Sequence, residues 1–553
     1  MTDSPLTVGA SLFRAAGLWP DRTALIIAGR QASYRGLLDE ASLCARGLAG
    51  LGVKPGDRIG TLMHNCWESV ILFYGASLIG AGLLPFNARY RGDELSFTVG
   101  FSDVVGLFTT AHGREHVELP ELLQDTYPIL REWKAGEPLK IAEAPSLRFV
   151  ANLADPEEER WVTEKHLAEA AQRVSAETVE AMAAAVKPGD NCITMFSSGT
   201  TARPKACMLS HENVSRVGSA LAERFEMTAD DRFWDPLPFY HMSTLMPLAA
   251  CRTVGATFIG VEHFEAGAAL AEIERTRATI LYPAFPTLMA SMVAHPDFPH
   301  RNLSTARLML NIGAPDLLRR FCEAMPGAKQ ASCYGLTEGG GVSVWSDKDD
   351  TLDERIFTSG KPITGTKVRV VDPDTLEDKP FGENGEIWLW GYCVFSGYYK
   401  DPEMTAAVIT PDGWLRTNDI GHLLPSGHLV YKGRLKDMLK IGGENVAAVE
   451  IESFLMKHPA IKMAQVVSVP DERLVEAAAA FIECMPGKSI TPEEVVKFCA
   501  GQMASFKIPR HVQFVNDWPM STTKIQKFKL LENYVPSSPL DVSGIARALK
   551  RGA

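Results

Sequence analysis

The sequence predicts an α/β fold, and two kinds of pattern lead to that prediction. Apolar runs typical of buried strands occur at 191–198, 278–286, 307–315, 366–373 and 385–391, and several of them end in Gly or Pro turns. Stretches with helical periodicity lie between these runs, and such alternation is characteristic of α/β architecture. With 553 residues, the chain is long enough to form several compact cores.

The overall composition excludes some classes of partner and of site. The net charge is −11 at pH 7 and no basic run stands out, which argues against a nucleic-acid partner. The ten cysteines are scattered, without a CxxC pair or a zinc-like His/Cys spacing, so we expect free thiols in a reducing compartment. The amino terminus lacks a secretory signal and the final ALKRGA is no peroxisomal address, so we expect a cytoplasmic protein.

One uncharged stretch of membrane-span length runs from Ser69 to Ala88. It contains three glycines, a proline and an asparagine. These residues favour a helix over 69–80, a turn at 80–82 and a short buried strand instead of a membrane span.

The segment from Ser197 to Ala206, SSGTTARPKA, has the composition of a phosphate-binding loop. Small residues let backbone N–H groups approach oxygens, hydroxyls donate hydrogen bonds, and Lys205 adds a positive charge. The segment lacks the GxxxxGK[ST] pattern of a P-loop, and a simple turn is the alternative interpretation. A strand precedes it and Ser210 is a good helix N-cap, so we expect a strand–loop–helix connection.

A smaller unit is expected after residue 435. A helix should carry Val446, Val449, Ile451 and Phe454, strands should follow at 463–471 and 477–485, and a second helix should open at Thr491. We therefore divide the chain into domains 1–435 and 436–553.

Four further motifs occur in order: YGLTEGG at 334–340, GWLRTNDIG at 413–421, GRLKDMLKIGGENVAAVEIE at 433–452 and PMSTTKIQKFKL at 519–530. Together with SSGTTARPKA, they resemble the acyl-adenylate-forming superfamily, which includes acyl-CoA synthetases, adenylation domains of peptide synthetases and luciferases. The resemblance implies a large N-terminal domain with two helix-covered sheets and a small distorted barrel. It also implies a small mobile α+β C-terminal domain that acts as a lid.

The resemblance assigns the phosphates and the metal ion to two of these motifs. It places the β- and γ-phosphates of ATP-Mg against the loop residues Ser197, Ser198, Gly199, Thr200, Thr201 and Lys205. Thr200 and Glu338 would hold Mg²⁺, which prefers oxygen ligands, and Thr337 would contact the α-phosphate. Ala202 and Ala206 replace two glycines of the family pattern, which puts the mobility of the loop in question.

The nucleoside is assigned in the same way. Gly313, Ala314 and Pro315 would lie along the adenine and ribose, and Tyr334 would stack on the adenine. Asp419 would accept hydrogen bonds from the ribose hydroxyls, with a further contact from Arg434. Asn418 replaces a family glycine and tolerates a left-handed turn.

Lys524 is the residue expected to carry adenylation, because a cation there would stabilise the charge that builds on the α-phosphoryl oxygens. Its motif departs from the family pattern: only four residues separate it from Pro519, and Thr523 stands in place of a glycine. Lys527 and Lys529 are expected to be solvated.

The resemblance also assigns the domain movement between the two half-reactions. Lys436 falls at the hinge of the C-terminal domain, and Gly442 and Gly443 would line the pantetheine channel.

The segment LPFYHMSTLMPL at 237–248 resembles the lining of the acyl pocket. His241 is either beside the reacting carboxylate or structural. Phe239 is followed by Tyr-His instead of the Asp that meets an amino-acid substrate. The segment 282–292 and Ile312 would add an apolar wall, and the glycines at 339–341 would leave room. These features favour a hydrophobic monocarboxylic acid, whether alkyl, alicyclic, steroid-derived or aryl.

The function implied is that of an AMP-forming acyl-CoA synthetase with ATP, Mg²⁺ and coenzyme A. No carrier-protein domain follows residue 553, so coenzyme A is the expected acceptor. Two alternatives stay open: a stand-alone adenylating enzyme that loads a carrier protein, and a catalytically weak nucleotide-binding homologue. A homodimer is also left open.

Overall fold

The computed structural model describes residues 6–90, 92–110, 118–153, 160–197, 204–435, 438–441, 444–471, 474–500, 502–520, 525–536 and 538–542. Contacts between Cα atoms divide the chain into two compact units. Unit 1 comprises Met1–Val368 and Trp388–Thr417, and unit 2 comprises Arg369–Ile387 and Asn418–Ala553. The predicted domain boundary at 435/436 differs from this division and stays a prediction.

The chain up to residue 197 forms the following elements: α1 (Val8–Leu18), β1 (Thr23–Ile27), β2 (Arg30–Ser33), α2 (Tyr34–Gly50), β3 (Arg58–Leu62), α3 (Trp67–Leu78), β4 (Gly82–Phe86), α4 (Gly92–Ser102), β5 (Gly106–Thr109), α5 (Leu119–Thr126), a 3₁₀ helix (Pro128–Arg131), β6 (Phe149–Asn152), α6 (Glu164–Ala171), α7 (Ala176–Ala185) and β7 (Asn191–Ser197).

Residues 204–362 form β8 (Lys205–Ser210), α8 (His211–Arg224), β9 (Arg232–Asp235), α9 (Met242–Val254), β10 (Thr257–Gly260), α10 (Ala266–Thr276), β11 (Ile280–Ala284), α11 (Pro286–Ala294), a 3₁₀ helix (Phe298–His300), β12 (Leu308–Asn311), α12 (Pro315–Ala324), β13 (Lys329–Ala331), β14 (Cys333–Tyr334), a 3₁₀ helix (Thr337–Gly339), β15 (Val344–Trp345), α13 (Leu352–Phe357) and β16 (Lys361–Pro362).

The remaining elements are β17 (Thr366–Val371), β18 (Gly385–Gly391), β19 (Gly397–Tyr398), α14 (Pro402–Val408), β20 (Trp414–Leu423), β21 (Leu429–Arg434), β22 (Met438–Ile441), β23 (Glu444–Ala447), α15 (Ala448–Leu455), β24 (Ile461–Asp471), β25 (Val475–Cys484), α16 (Pro492–Cys499), β26 (His511–Phe514) and α17 (Lys527–Glu532).

Unit 1 contains two seven-stranded sheets. The first sheet has the order β13-β12-β11-β9-β10-β1-β2, and all its pairs are parallel except β1–β2. A core of buried side chains from its strands and from α10, α11 and α12 covers one face, and includes Trp234, Ile259, Leu281, Met309, Leu270, Met289 and Phe321. Burial of both faces explains why these strands are continuous apolar runs.

The second sheet has the order β19-β8-β7-β4-β3-β5-β6. Its central strands are parallel, whereas β8 runs antiparallel to both β7 and β19. Unit 1 also contains a three-stranded sheet, β14-β15-β16, and the division between the units passes through the four-stranded sheet β17-β18-β20-β21.

Unit 2 is organised around a sheet of order β23-β22-β25-β24, with β26 beside β25. Alternate residues of β25 face opposite sides, as the two-residue period of a strand requires. Ala478 and Ala480 pack in a core with residues of α15 and α16, whereas Ala477 and Ala479 pack with Leu530 of α17. The small Ala side chains suit a strand that is covered on both faces.

Several expectations from the sequence are confirmed. The uncharged stretch forms α3 and β4, and in the described part of the chain no helix is long and apolar enough to cross a membrane. All ten cysteines are free. Thr491 caps α16, where its side chain and that of Glu494 form a capping box. The helix predicted around Val446 begins only at Ala448, because Val446 belongs to strand β23.

Candidate functional site

The parallel strands of the first sheet end at one edge, where four of the predicted site segments begin. β9 ends at Asp235, β11 at Ala284, β12 at Asn311 and β13 at Ala331. These strands are neighbours, so their carboxyl ends share one edge of the sheet. Ligands of open α/β sheets bind at this kind of edge. The fold therefore brings together segments that are nearly 100 residues apart in the sequence.

The segment 237–248, called the acyl segment below, follows β9 and is held mainly by the buried side chain of Asn65. Asn65 lies just after β3, and its Nδ2 donates to the carbonyl oxygens of Leu237 over 2.8 Å and Val261 over 2.9 Å. The amide N–H of Phe239 donates to Asn65 Oδ1 over 2.8 Å. Thr244 in α9 adds a hydrogen bond from its hydroxyl to the Leu237 carbonyl. The path of this segment is therefore fixed by Asn65 from outside it and by Thr244 from within it.

Asp235 lies just before the acyl segment and His241 lies within it. His241 is the N-cap residue of α9, and its ring lies 4.9 Å from the Tyr240 ring, centroid to centroid. Asp235 is fully buried, and its Oδ1 accepts a hydrogen bond from the Leu237 amide over 2.8 Å. Burial raises the pKa of the Asp235 carboxyl well above its usual range. The role of His241 beside a substrate carboxylate stays a prediction.

The turn predicted to lie along the nucleoside connects β12 to α12. Ala314 is the N-cap residue and Pro315 is the first helical residue, a position that suits proline. The Ile312 amide donates to the Ala284 carbonyl over 2.8 Å, which ties this turn to the end of β11. Ala284 itself has φ 53°, a left-handed conformation that is unusual for a residue other than glycine. Such conformations concentrate at functional sites.

The YGLTEGG motif forms a tight turn between β14 and β15. Tyr334 is buried in β14, and Thr337 opens a 3₁₀ helix. Gly341 has φ 97°, and a Cβ there would lie 2.8 Å from Met246 Sδ. A Cβ at Gly340 would lie 2.9 Å from the Cys393 carbonyl oxygen. A Cβ at either glycine would therefore meet a neighbouring atom, and the expectation that these glycines leave room in the acyl pocket stays a prediction.

The predicted phosphate loop connects two strands of a hairpin. β7 ends at Ser197 and β8 begins at Lys205, antiparallel to it. The predicted strand–loop–helix connection is therefore wrong, because β8 comes before the helix that Ser210 caps. The missed signal is the pattern of KACMLS, in which Ala206 is buried and paired in the strand. Its conformation is extended, so its replacement of a glycine causes no strain there.

Glu338 contacts one residue at the carboxyl end of β7 and one residue of β19. Its Oε1 accepts hydrogen bonds from the Tyr398 hydroxyl over 2.9 Å and the Ser197 hydroxyl over 3.3 Å. The Lys205 Nζ lies 5.3 Å from the centroid of the Tyr398 ring. Burial raises the pKa of the Cys207 thiol well above its usual range, and the charge of Glu338 raises it further. The sequence predictions for Ser197, Lys205 and Glu338 thus converge on one cluster.

The predicted ribose contacts lie in unit 2. Asp419 in β20 pairs in register with Arg434 in β21, and Arg434 Nε is 3.5 Å from Asp419 Oδ1. Asn418 has φ 57°, as expected for the residue that replaces a family glycine. Its amide donates to Glu386 Oε1 over 2.9 Å. The structure brings Asp419 and Arg434 together, and their binding of ribose stays a prediction.

Family models match the chain over most of its length. The model of the AMP-binding enzyme family matches residues 12–399, and that of the AMP-binding enzyme C-terminal domain matches residues 450–524. The chain belongs to the AMP-binding enzyme family. The two-sheet architecture, the small barrel-like sheet and the smaller C-terminal region of this AMP-binding enzyme agree with the fold that the sequence predicts.

The relatives of this AMP-binding enzyme are acyl-CoA ligases. It is 35% identical over 541 residues to the acyl-CoA synthetase YngI of Bacillus subtilis (strain 168), covering 96% of this chain and 97% of that protein. It is 30% identical over 554 residues to the mitochondrial medium-chain acyl-CoA ligase ACSF2 of Rattus norvegicus, covering 96% of this chain and 88% of that protein. Among solved structures, the anthranilate CoA ligase AuaEII in complex with anthranoyl-AMP has a TM-score of 0.81 at 25% identity, covering 96% and 98% of the two chains. This AMP-binding enzyme is an AMP-forming acid–CoA ligase.

Several predicted site residues of this AMP-binding enzyme lie outside the described residues: Ser198, Gly199, Thr200, Thr201, Ala202, Lys436, Gly442, Gly443, Thr523 and Lys524. Lys527 lies three residues after Lys524. The expectation that Lys527 is solvated is wrong. Its Nζ lies 2.6 Å from Glu452 Oε1 and donates to the Val466 carbonyl over 3.1 Å. The buried Glu452 requires a cation beside it. Lys529 is exposed, as expected.

Two residues that position the site are missing from the sequence prediction. Asn65 carries a signal that could have been used, since it is a polar residue just after a buried parallel strand, where site residues collect. Tyr398 has no such signal, because β19 has only two residues and its neighbours are distant in sequence. Its contact with Glu338 spans 60 residues and exists only in the folded chain.

Proposed function

We propose that this ligase converts a hydrophobic monocarboxylic acid, ATP and coenzyme A to acyl-CoA, AMP and pyrophosphate. The observation that carries the proposal is the Glu338 cluster, in which the Ser197 and Tyr398 hydroxyls hold the carboxylate and the Lys205 ammonium lies against the Tyr398 ring. A carboxylate and a lysine beside a Ser/Thr-rich loop suit the binding of a polyphosphate with its metal ion.

In the first half-reaction, an oxygen of the substrate carboxylate attacks the α-phosphorus of ATP. The new bond between the carboxylate oxygen and the α-phosphorus gives acyl-AMP. The bond from the α-phosphorus to the bridging oxygen breaks, and pyrophosphate leaves with that oxygen. Lys205 would balance the charge of the leaving phosphates, and Lys524 would stabilise the α-phosphoryl oxygens, an effect worth roughly a few kcal/mol in other preorganised sites. In the second half-reaction, the thiol sulfur of coenzyme A attacks the acyl carbon, loses its proton, and AMP leaves.

Magnesium is the cation that suits this site. The groups around Glu338 are carboxylate and hydroxyl oxygens, which are the ligand types that Mg²⁺ prefers. Glu338 and Thr200 would hold the ion, which would neutralise phosphate charge.

The acid is proposed to be apolar because the segment around Phe239 contains no Asp for an amino group and the neighbouring side chains are apolar. Tyr282 and Met246 are buried against the carboxyl edge of the first sheet. The named acids of the relatives, medium-chain and anthranilic, support alkyl and aryl acids alike. Coenzyme A is proposed as the acceptor in preference to a carrier protein, since these relatives are CoA ligases.

Domain movement, location and assembly are also proposals. Residues 436–553 would swing as a lid about Lys436, so that Gly442 and Gly443 line the pantetheine channel in the second half-reaction. We propose a cytoplasmic location, although the rat relative is mitochondrial. The homodimer left open by the sequence is tested by the mass of the protein in solution.

Acid-dependent exchange of pyrophosphate into ATP tests the proposal. The purified protein is given alkyl, alicyclic and aryl acids, with and without coenzyme A. Exchange should require an apolar acid, and thioester should form with coenzyme A alone. Lys524→Ala should abolish exchange while ATP binding stays nearly intact, with Lys529→Ala as the matched control. Exchange that no acid promotes would contradict the proposed function.

A further inference from the structure

The Glu338 carboxylate is fixed through one of its two oxygens. Two hydroxyls, those of Tyr398 and Ser197, donate to Glu338 Oε1 over 2.9 and 3.3 Å. The shorter bond comes from a tyrosine that is only 7% exposed. A carboxylate held in this way has a defined plane, so its second oxygen has a defined direction toward a cation.

Tyr398 is itself held rigidly. It pairs in register with Cys207 of β8, and its amide donates to the Thr405 hydroxyl over 2.9 Å. The Phe395 ring packs against its ring in a T-shaped arrangement at 4.8 Å. The Tyr398 hydroxyl is therefore held in a fixed position beside Glu338.

The neighbouring Tyr399 anchors the same short strand on its other side. Its hydroxyl donates to Asp103 Oδ2 over 2.7 Å, and the Arg58 guanidinium lies 4.2 Å from the centroid of its ring. Its amide donates to the Ala206 carbonyl over 2.8 Å. Tyr399 thus fixes β19 beside β8 without touching Glu338, which makes it a matched control for Tyr398.

The Tyr398 side chain also contacts Lys205, which carries the positive charge of the site. The Lys205 ammonium lies 5.3 Å from the centroid of its ring, within the range of a cation–π contact. The salt bridges within the described residues do not include a pair between Lys205 and Glu338. The Tyr398 hydroxyl thus binds the Glu338 carboxylate, and the Tyr398 ring contacts the Lys205 ammonium. Both charged groups stay available to a ligand.

We propose that Tyr398 is a positioning residue that orients Glu338 and Lys205 for the metal–polyphosphate group in the adenylation step. The proposal rests on the proposed function of this site. Loss of the hydroxyl frees the Glu338 carboxylate to rotate, and groups that orient metal ligands in this way typically contribute about 10–100-fold to metal affinity or activity. The effect should fall on the binding of the metal–nucleotide complex more than on the binding of the acid.

The test compares Tyr398→Phe with Tyr399→Phe and the unmodified enzyme. Binding of Mn²⁺ is measured by electron paramagnetic resonance in the presence of the non-hydrolysable analogue adenosine 5′-(β,γ-methylene)triphosphate. Tyr398→Phe should weaken Mn²⁺ binding about tenfold or more, whereas Tyr399→Phe should leave it within about twofold. In pyrophosphate exchange, Tyr398→Phe should raise the KM for Mg·ATP with little change in the KM for the acid.

Equal Mn²⁺ affinity in Tyr398→Phe and the unmodified enzyme would overturn the proposal. If Tyr398→Phe does not fold, Ser197→Ala removes the other donor to the same oxygen and should weaken Mn²⁺ binding by a smaller factor; no weakening there overturns the proposal as well. The Mn²⁺ measurement needs no acid substrate. A failure of the proposed function, seen as exchange that no acid promotes, is therefore distinguishable from a failure of the positioning role.

Discussion

Burial away from water determines whether an ionisable side chain of unit 1 is charged. His211, the first residue of α8, has no exposed surface, and its Nδ1 accepts a hydrogen bond from the Val8 amide over 3.4 Å. Burial lowers its pKa from 6.5 to about 4, against an opposing effect of the Asp190 charge. The ring is therefore neutral in the folded protein at pH values where an exposed histidine is partly charged.

This difference makes stability depend on pH. Because the pKa of His211 is lower in the folded state, its contribution is fully present above pH 6.5 and is lost as the pH falls toward 4. His211→Asn keeps a hydrogen-bond acceptor but does not titrate. We expect the fall in unfolding free energy between pH 7.5 and pH 4.5 to be smaller in the variant, by roughly 3 kcal/mol at most.

The midpoint of urea unfolding at the two pH values measures this difference. His300→Asn, at an exposed position, is the matched control. If the unfolding free energy of His211→Asn falls as much toward pH 4.5 as that of the unmodified protein, the buried imidazole does not contribute to the pH dependence.

At the scale of elements, the connection between β9 and α9 depends on a residue that follows β3. Asn65 satisfies three backbone groups, and each buried group left unpaired costs about 1–3 kcal/mol. A hairpin shows the same dependence on neighbours: β8 forms because β7 and β19 pair with it on its two sides. The sequence around Lys205 predicts neither pairing.

Asn65→Ala should therefore lower stability and displace the acyl segment. We expect an unfolding free energy lower by roughly 2–4 kcal/mol, since the Val261 carbonyl and the Phe239 amide lose this partner, whereas the Leu237 carbonyl keeps the Thr244 hydroxyl. The KM for the acid should rise more than the KM for ATP, because the displaced residues around Phe239 belong to the acyl segment. Thermal unfolding and exchange kinetics measure both effects.

Asn302→Ala serves as the control for this substitution, since Asn302 is exposed and its side chain accepts only local hydrogen bonds. Equal increases of the two KM values in Asn65→Ala would contradict a specific role in placing the acyl segment.

At the scale of the whole molecule, the two half-reactions are proposed to need different placements of residues 436–553. Lys436→Pro fixes φ at the proposed hinge and should leave pyrophosphate exchange near its normal rate. Thioester formation should fall about 100-fold, which is the size of the rate loss that misplaced groups cause in other enzymes. Both rates are measured on the same preparation, with Lys436→Ala as a variant that keeps backbone freedom. Equal loss of both activities in Lys436→Pro would contradict the hinge.

The sequence by itself determined the α/β class, the buried strands, the helix caps and the family. These features depend on local patterns: the apolar run of β7, the capping residues Ser210 and Thr491, and ordered motifs such as YGLTE. The resemblance of the motifs to the acyl-adenylate-forming superfamily also predicted Glu338 and Lys205 as residues of one site, and their binding of a polyphosphate stays a prediction.

Only the tertiary structure decided what holds those residues in place. The β8 strand, the pairing of Lys527 with Glu452 and the packing of Gly341 against Met246 each depend on a partner distant in sequence. Tyr398 reaches Glu338 across 60 residues of sequence, and no local pattern encodes that approach. Chemistry is carried by residue type and spacing, whereas orientation is a property of long-range contacts formed on folding.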